Sequence, residues 1–242
     1  MTPEARRDLL AASLDEVRRR IGRACAAADR DPGSVALVAV TKTYPASDVV
    51  LLAGLGVTDV GENKDQEAAA KSAAVRAEGV ALRWHFVGQL QRNKAKSVVT
   101  YADVVESVDS MRLAGALSTA AARLRERPLD VLVQVSIDGD PARGGAIAGA
   151  ADADRDLWRV AAAVNEAEGL RLGGVMAVAP RGWEPERAFA ELAVLTARLC
   201  SEYPDATVVS AGMSGDLEQA VRHGATHVRI GTSLLGMRNT LR

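Results

Sequence analysis

The most regular feature of the chain is an alternation of short apolar runs with longer segments of helical periodicity. Continuous apolar runs bounded by turn residues are typical of strands that are buried on both faces, as in parallel sheets. Eight such runs lie at residues 35–40, 58–60, 82–87, 104–108, 131–135, 172–178, 207–209 and 227–230. The segments between them predict helices at residues 47–55, 66–78, 111–126, 153–168, 184–202 and 216–223.

This alternation predicts a barrel. Eight strand–helix repeats in about 200 to 250 residues are the pattern of a (β/α)8 fold. An open, doubly wound sheet is the alternative, but no dinucleotide-type glycine fingerprint follows the first strand. We therefore expect an α/β fold with a single TIM-barrel domain over residues 1–242 and the barrel itself at about 35–236. An extra N-terminal helix is expected at about 3–29, with an apolar stripe of Leu10, Leu14, Val17, Ile21, Ala24 and Ala28.

Side chains that a purely structural strand would not need come at or near the ends of all eight runs. In a barrel the carboxyl ends of the strands meet on one face, and this fold places its chemistry there. We therefore expect one site at the barrel mouth, formed by Lys42, Glu62, Asn63, His85, Ser107, Asp109, Gln134, Ser136, Met176, Ser210 and Arg229.

Lys42 is the most informative of these residues, because it follows an apolar run and Pro45 stops the strand shortly after it. A solvated loop lysine is the simpler interpretation. At a barrel mouth, however, a lysine would be partly desolvated, which lowers its pKa. Its amine would then be nucleophilic enough to form a Schiff base.

Two glycine-containing loops, at residues 210–216 and 231–233, follow the last two predicted strands. Glycine lets the backbone approach an anion closely, and the N–H groups at a helix start can bind it. Helix caps also favour Gly and Ser, so each loop alone is weak evidence. Loops after strands seven and eight are, however, the usual phosphate site of this barrel. Together they predict a phosphate that faces Lys42 across the barrel mouth.

Arg229 narrows the choice of ligand. It could pair with the phosphate or with Glu62, or it could donate to a pyridine nitrogen. A Schiff-base lysine, a phosphate site and a cation at a ring nitrogen together describe pyridoxal 5′-phosphate (PLP). Because arginine stays protonated, it can only donate, and the ring nitrogen facing it would carry no proton. The ring would then be a poor electron sink, which disfavours transamination and leaves racemisation or cofactor holding.

Motifs over residues 35–236 resemble the pyridoxal phosphate homeostasis protein family, and the stretch from Trp84 to Lys94 is the most specific of them. The others lie at residues 39–42, 61–67, 174–177, 210–216 and 228–232. The resemblance implies a PLP-binding barrel of the alanine racemase N-terminal type, in which Lys42 carries PLP as a reversible Schiff base. It implies intracellular PLP homeostasis without an established catalytic reaction. The implied site has Arg229 at the pyridine nitrogen, and Ser210, Gly212, Met213, Ser214, Gly231 and Thr232 around the phosphate.

Asn63 and His85 complete the candidate cofactor-binding set, although each has a structural alternative. Asn63 could cap the following helix. His85 lies inside an apolar run, where a histidine is most often a hydrogen-bonded core residue. Several positions depart from the family pattern without touching the lysine or the phosphate loops, namely Lys64, Asp65, Ser136, Asp140, Arg143, Gly144 and residues 236–239.

Two further segments have open interpretations. Arg92, Asn93, Lys94 and Lys96 form a basic cluster on a short helix. Such a cluster is usually a solvated face, but at a barrel mouth it could recruit an anionic ligand or an acidic partner. The loop at residues 137–151 is rich in Gly, Asp and Pro, and we expect either a mobile lid or a disordered surface loop.

Composition limits the other possibilities. The chain has 242 residues, 48% of them hydrophobic, and a net charge of −1, which argues against a nucleic-acid-binding surface. No apolar run reaches the roughly 18 residues of a membrane span, and the N-terminus lacks the apolar core of a secretion signal. We expect a cytoplasmic monomer with PLP as its ligand and PLP-dependent apo-enzymes as recipients. Cys25, Cys200, His223 and His227 show no redox or metal-binding spacing.

Two alternative functions remain open from the sequence. A PLP-dependent racemase of the alanine racemase plan needs a second base, a tyrosine from a second domain. We expect no room for that domain in a chain that ends at Arg242, and of Tyr44, Tyr101 and Tyr203 only Tyr44 falls near the expected site. A Schiff-base aldolase that uses Lys42 on a sugar phosphate without PLP is the weaker alternative.

Overall fold

The eight apolar runs form eight parallel strands that close into a barrel in sequential order, which confirms the predicted fold. The computed structural model describes residues 2–236. Closure comes from the pairing of the last strand with the first, which places Val38 beside Arg229. The strands are β1 Ala36–Val40, β2 Asp59–Glu62, β3 Arg83–Phe86, β4 Val104–Val108, β5 Leu129–Val135, β6 Leu170–Ala177, β7 Val208–Ser210 and β8 His227–Ile230.

Helices connect the strands and cover the outside of the barrel. They are α1 Pro3–Ala27, α2 Ala46–Gly54, α3 Asp65–Ala77, α4 Ala95–Val98, α5 Met111–Leu124, α6 Leu157–Asn165, α7 Pro185–Glu202, α8 Leu217–Arg222 and α9 Thr232–Leu235. Short 3-10 turns lie at Pro32–Ser34, Arg92–Lys94 and Ala153–Arg155. Within residues 2–236, no helix is both long enough and apolar enough to cross a membrane.

The predicted boundaries differ from the observed ones where polar residues interrupt an apolar pattern. Strands β5 and β6 each begin two residues before the predicted runs, because Asp130 and Arg171 pair across them at 2.6 Å. The predicted helix at 153–168 is divided into a 3-10 turn and α6. Asp156 accounts for the division, since its side chain caps α6 by accepting the Arg159 N–H at 3.1 Å.

Helix α1 packs across the seam between β8 and β1. Its predicted stripe is buried from Leu10 to Ala24, and it lies in one apolar cluster with residues of both strands and of α8 and α9. Thr2 caps the helix as expected, by accepting the Ala5 N–H at 3.2 Å. Two ion pairs fix α1 to neighbouring helices, Arg6 with Asp48 at 2.6 Å and Arg20 with Glu218 at 2.8 Å. The N-terminal helix therefore reinforces the seam that closes the barrel.

The barrel interior differs from the layer outside it. The large apolar clusters lie between the strands and the helices, while a small separate cluster consists of Val104, Leu132 and Met176, with Val208 against it. Five buried polar or charged residues lie on the strands near this small cluster: Asp59, His85, Glu106, Ser210 and Arg229. An interior of this kind must satisfy its charges internally, because water cannot solvate them.

The loop at residues 137–151 has more internal structure than its composition predicted. Two isolated bridges, Val135 with Ala146 and Ile147 with Asp156, connect it to its flanking segments. The Arg155 guanidinium donates to three carbonyl oxygens at distances of 2.7 to 3.0 Å, those of Pro141, Arg143 and Gly145. The loop is thus a folded surface element, and its role as a lid stays a prediction.

Gly174 provides a direct test of the barrel packing. Its φ is 145°, and a Cβ at this position would lie 2.0 Å from the Val208 carbonyl oxygen. We expect Gly174→Ala to lower the free energy of unfolding by about 3 kcal/mol or more, because β6 and β7 would be forced apart. Gly115 in α5 has open space around it. Gly115→Ala should therefore raise stability by about 0.5–1 kcal/mol. Urea denaturation of both variants is the measurement, and equal effects would contradict the packing described.

Candidate functional site

Lys42 lies at the carboxyl end of β1, at the barrel mouth. Val38 and Val40 face the interior, since a Cβ on Gly61 would meet both side chains. Alternate residues of a strand share a face, so Lys42 continues the interior-facing row. Its side chain is exposed, and its Nζ has no hydrogen bond or ion pair with the described residues 2–236. Lys42 therefore lies at the barrel mouth as expected, but its side chain is not partly desolvated as expected.

The barrel closure changes the expected relation between Lys42 and the phosphate loops. We expected the phosphate across the mouth from Lys42, but β8 is the direct neighbour of β1. A Cβ on Gly231, just after β8, would lie 3.5 Å from Val40 Cβ. The second glycine loop therefore begins beside the end of β1, on the same side of the mouth as Lys42.

The two glycine loops are joined to each other. The Arg229 N–H donates to Gly212 O at 2.9 Å, and the Ser233 N–H donates to Ser214 Oγ at 3.3 Å. Gly212 has φ 91°, and a Cβ there would lie 2.6 Å from Ala220 Cβ, so the first loop requires glycine. Several N–H groups of these loops find no acceptor within residues 2–236, among them those of Ser214, Gly215 and Thr232. Such a set can bind an anion.

Arg229 is buried in the barrel interior, and both of its terminal nitrogens donate hydrogen bonds there. Nη1 donates to Ser210 O and to Ser210 Oγ, each at 2.7 Å, and Nη2 donates to Ala177 O at 2.8 Å. In the part of the chain that the structure describes, Nε has no such partner. Burial lowers the pKa of Arg229, and the Glu106 carboxylate, 3.8 Å from Nη1, opposes that shift. Arginine nevertheless stays protonated at neutral pH because its ordinary pKa is so high.

His85 lies below Arg229 and contacts two carboxylates. Nδ1 is 2.7 Å from Glu106 Oε1, and Nε2 is 3.0 Å from Asp59 Oδ1. Burial alone would lower the pKa of His85, but the two carboxylates outweigh it and raise the pKa. Both ring nitrogens can then donate, so the ring is an imidazolium between two anions. His85 is thus a hydrogen-bonded core residue in this structure, and a role beside the cofactor stays a prediction.

Glu106 connects His85 to Arg229. It is fully buried, and besides His85 it accepts the Ser210 hydroxyl at 2.6 Å. Burial would raise its pKa, yet the hydrogen bond to His85, the charges of His85 and Arg229, and the Ser210 hydroxyl outweigh burial and lower the pKa to about 2. The interior thus holds charges of alternating sign, in the order Asp59, His85, Glu106 and Arg229.

Four buried side-chain oxygens have no hydrogen-bond partner within residues 2–236, and Glu62 Oε2 and Gln219 Oε1 are two of them. The other two are Asn63 Oδ1, just after β2, and Ser107 Oγ, on β4. A register shift between Val105 and Val108 of β4 accompanies the burial of Ser107 next to Glu106. Buried polar atoms without partners are rare in proteins and often mark places where a ligand or water binds.

Other strand-end residues expected at the site have different partners. Glu62 lies between β2 and α3, where Oε1 accepts from Lys71 Nζ and Thr41 Oγ1, both at 2.6 Å. Its pKa is raised because burial outweighs these bonds. Glu62 therefore pairs with Lys71 and not with Arg229. Asp109 accepts the Gly145 N–H at 3.3 Å, Ser136 donates to Asp138 at 3.1 Å, and both hold the 137–151 loop. Met176 belongs to the small apolar cluster.

The basic cluster is largely solvated. Arg92 and Lys96 are exposed, and Lys94 Nζ lies 4.0 Å from Asp65 Oδ2. Asp65, one of the departures from the family pattern, also accepts from Ser97 Oγ at 2.8 Å. The solvated-face interpretation fits this geometry, and recruitment of an anion or an acidic partner stays a prediction. Within residues 2–236, no group of three or more His, Cys, Asp or Glu side chains is arranged to hold a metal ion.

Comparison with known proteins places this barrel in a class. Residues 12–239 match the family described as alanine racemase, N-terminal domain. Alanine racemase of Corynebacterium glutamicum shares the fold at a TM-score of 0.68 and 16% identity, covering 98% of this chain and 63% of that one. PipY of Synechococcus elongatus PCC7942, solved with PLP bound, has a TM-score of 0.79 and 33% identity, and the match covers 94% of this chain and all of PipY.

Curated relatives identify the family within that class. The pyridoxal phosphate homeostasis protein of Mycobacterium leprae is 43% identical over 236 residues, which cover 93% of this chain and 91% of that protein. The protein of the same name from Escherichia coli K12 is 37% identical over 235 residues, covering 95% and 97%. The chain belongs to the pyridoxal phosphate homeostasis protein family.

The buried charge of Glu106 makes a testable contribution to stability. Glu106→Gln keeps an acceptor for Ser210 but removes the anion between His85 and Arg229. We expect the free energy of unfolding to fall by about 3 kcal/mol or more at neutral pH, because Arg229 loses the anion beside it and His85 loses one of its two. A lowered pKa stabilises the fold above the ordinary value of 4.5, and that stabilisation is lost as pH falls toward about 2.

The difference between wild type and Glu106→Gln should therefore narrow in acid. Urea denaturation from about pH 7 to about pH 3 measures it. Glu191→Gln on the exposed face of α7 is the matched control. It should lower the free energy of unfolding by less than about 0.5 kcal/mol at every pH. A constant difference between wild type and Glu106→Gln across this range would contradict an ionised Glu106.

Proposed function

We propose that this protein binds PLP at the carboxyl end of its barrel and holds it reversibly through Lys42, for supply to other proteins. The observation that carries the proposal is the unpaired Lys42 amine at the end of β1, directly beside the loop that follows β8. Membership in the pyridoxal phosphate homeostasis protein family supports it, as does the PLP bound to PipY. When bound, the aldehyde of PLP supplies a covalent link to an amine that forms with loss of water and is reversible.

The residues at the mouth fit the phosphate of PLP. The N–H groups of Ser214, Gly215 and Thr232 are available as donors, and Gly212 lets the first loop fold tightly beside them. We propose that Gly212, Met213, Ser214, Gly231 and Thr232 surround the phosphate. Ser210 has a different role from the one its loop position implied, because its hydroxyl is already used by Glu106 and Arg229. It would hold the arginine and not the phosphate.

We propose that Arg229 faces the ring nitrogen. Its two terminal nitrogens bind carbonyl and hydroxyl oxygens of β6 and β7, which leaves the Nε–H and one N–H of Nη2 as available donors within residues 2–236. A guanidinium donates and cannot accept, so Arg229 would hold the ring nitrogen without protonating it. This reduces the electron-withdrawing power of the ring. Asn63 would add a contact from β2 through its unpartnered Oδ1, and His85 would act indirectly, by keeping Glu106 ionised next to Arg229.

Cofactor holding without turnover is favoured over racemisation. A racemase needs a second base opposite the lysine. Tyr44, the best placed tyrosine, donates its hydroxyl to Gly236 O at 2.7 Å. Tyr101 is buried against Asp65, and burial together with that carboxylate raises the pKa of its hydroxyl. The hydroxyl therefore stays protonated at neutral pH and cannot act as a base. Delivery of PLP to apo-enzymes, a monomeric state and a cytoplasmic location all stay predictions.

Lys42 can be tested by cofactor trapping. Wild-type protein incubated with PLP should turn yellow, and borohydride reduction should add the mass of PLP to the peptide that contains Lys42. Lys42→Ala should lose the colour and the trapped mass. Lys64→Ala removes an exposed lysine that caps α3 without a side-chain bond, and it should behave as wild type. Wild type that takes up no PLP would contradict the proposal, and trapping of a sugar phosphate on Lys42 instead would favour the aldolase alternative.

The carrier role makes a separate prediction about turnover. Protein loaded with PLP should show no substantial racemisation or transamination with a panel of L- and D-amino acids, because the ring is a weak electron sink and neither Tyr44 nor Tyr101 is suited to act as the second base. Chiral chromatography after prolonged incubation is the measurement. Robust racemisation that disappears in Lys42→Ala would overturn the carrier role and favour the racemase alternative.

A further inference from the structure

Two charged residues of α3 hold the backbone on both sides of Lys42. Lys71 is buried, and its Nζ donates to Thr41 O at 2.8 Å, to Glu62 Oε1 at 2.6 Å and to Glu67 Oε1 at 3.1 Å. An ammonium has three protons, so these acceptors satisfy it completely. Lys71 is therefore a fixed structural cation and does not offer a second reactive amine beside Lys42.

The residue after Lys42 is held by the same pair. The Thr43 N–H donates to Glu67 Oε1, the oxygen that also contacts Lys71. Thr43 has φ 72°, in the left-handed region that β-branched residues rarely adopt. Such a conformation persists only where surrounding bonds enforce it. Burial acts to raise the pKa of Glu67, but the bonds to Lys71 and Thr43 outweigh it and lower the pKa, so the acceptor is an anion.

These bonds determine where the Lys42 side chain starts. Residue 41 is held through its carbonyl oxygen and residue 43 through its N–H, which leaves little freedom for the backbone of Lys42 between them. The side chain itself has no partner within residues 2–236. The structure thus combines a fixed Cα with an unbound amine, which is the arrangement that a reversible covalent attachment point requires.

We propose that Glu67 and Lys71 are positioning residues that hold the Lys42 turn, defined as Thr41, Lys42 and Thr43, so that the Lys42 amine meets the aldehyde of PLP at a fixed place. This inference rests on the proposed function, because it assigns the partner of Lys42. Neither residue touches the cofactor. They act by removing backbone freedom before PLP binds, so that less conformational entropy is lost on attachment.

Glu67→Ala is the direct test, because Glu67 is partly exposed and its removal leaves the Lys71–Glu62 pair intact. In PLP-free protein, we expect the Thr43 amide to exchange with solvent about tenfold faster or more, since its acceptor is gone. We expect the dissociation constant for PLP to rise by about tenfold or more, the size of effect expected for one charge-assisted hydrogen bond. Glu67→Gln keeps an oxygen acceptor and should restore most of both properties.

Glu78→Ala at the other end of α3 is the matched control, because Glu78 is exposed and its side chain has no bond to the turn. It should leave amide exchange and PLP affinity within about twofold of wild type. A second variant, Glu62→Gln with Lys71→Met, removes the buried cation together with the charge of its buried partner Glu62, while the remaining anion, Glu67, is partly exposed to solvent. It should weaken PLP binding as Glu67→Ala does, while circular dichroism verifies the fold.

The possible outcomes separate this inference from the proposed function. Wild type that fails to bind PLP would overturn the proposed function. Wild type that binds PLP while Glu67→Ala binds it equally well would overturn the inference alone. Faster exchange at Thr43 with unchanged PLP affinity would also overturn it, because the turn would then be held without any consequence for the cofactor. The inference is supported if Glu67→Ala loses both the protection of the Thr43 amide from exchange and the affinity for PLP, and if Glu67→Gln recovers both.

Discussion

The pairing of β8 with β1 is the contact on which the candidate site depends. It places Arg229 beside Val38 in the barrel wall and brings the loop after β8 next to Val40, two residues before Lys42. An open sheet of the same strands would leave Lys42 and Arg229 at opposite edges. Helix α1 protects this seam by burying an apolar stripe against both strands. The N-terminal helix is therefore part of what keeps the lysine and the arginine in one site.

The charged interior explains why Arg229 has a defined position. A buried guanidinium is costly unless anions and oxygen acceptors surround it. Here Glu106, Ser210 and the Ala177 carbonyl supply them, and His85 in turn compensates Glu106. Every charge in the row from Asp59 to Arg229 has a neighbour of opposite sign. Loss of any one of these four charges would remove a counter-charge from a buried neighbour. The same contacts hold the Arg229 side chain in one orientation.

The sequence predicted the barrel well because the signal for it is local. Strand and helix periods alternate eight times, and Lys42, Asn63 and the two glycine loops follow strands whose ends a barrel must bring together. The partners of these residues could not be predicted in the same way. Glu106 lies inside an apolar run, as His85 does, and only the strand register shows that both face inward and meet.

Other contacts had no sequence signal for the same reason. Glu62 directly precedes Asn63, yet alternation along β2 sends Glu62 outward to Lys71, a residue in a helix with no motif to mark it. The left-handed turn at Thr43 also has no sequence signal, because threonine is an unusual choice there. The loop position of Ser210 predicts a place at the phosphate, which stays a prediction, but it gives no sign that the Ser210 hydroxyl bonds Glu106 and Arg229. One available signal was the buried His85 itself, since a histidine inside an apolar run requires a polar partner.

We propose that Lys42, beside the seam of the barrel, is the attachment point for PLP, with Arg229 at its ring nitrogen. A crystal structure of the protein with PLP would test both roles together. We expect continuous density from Lys42 Nζ into the cofactor, an N–H of the Arg229 guanidinium directed at the ring nitrogen, and the phosphate at the N–H groups of Ser214 and Thr232. PLP bound away from the carboxyl end of the barrel, or bound there with the Lys42 amine unattached, would contradict it.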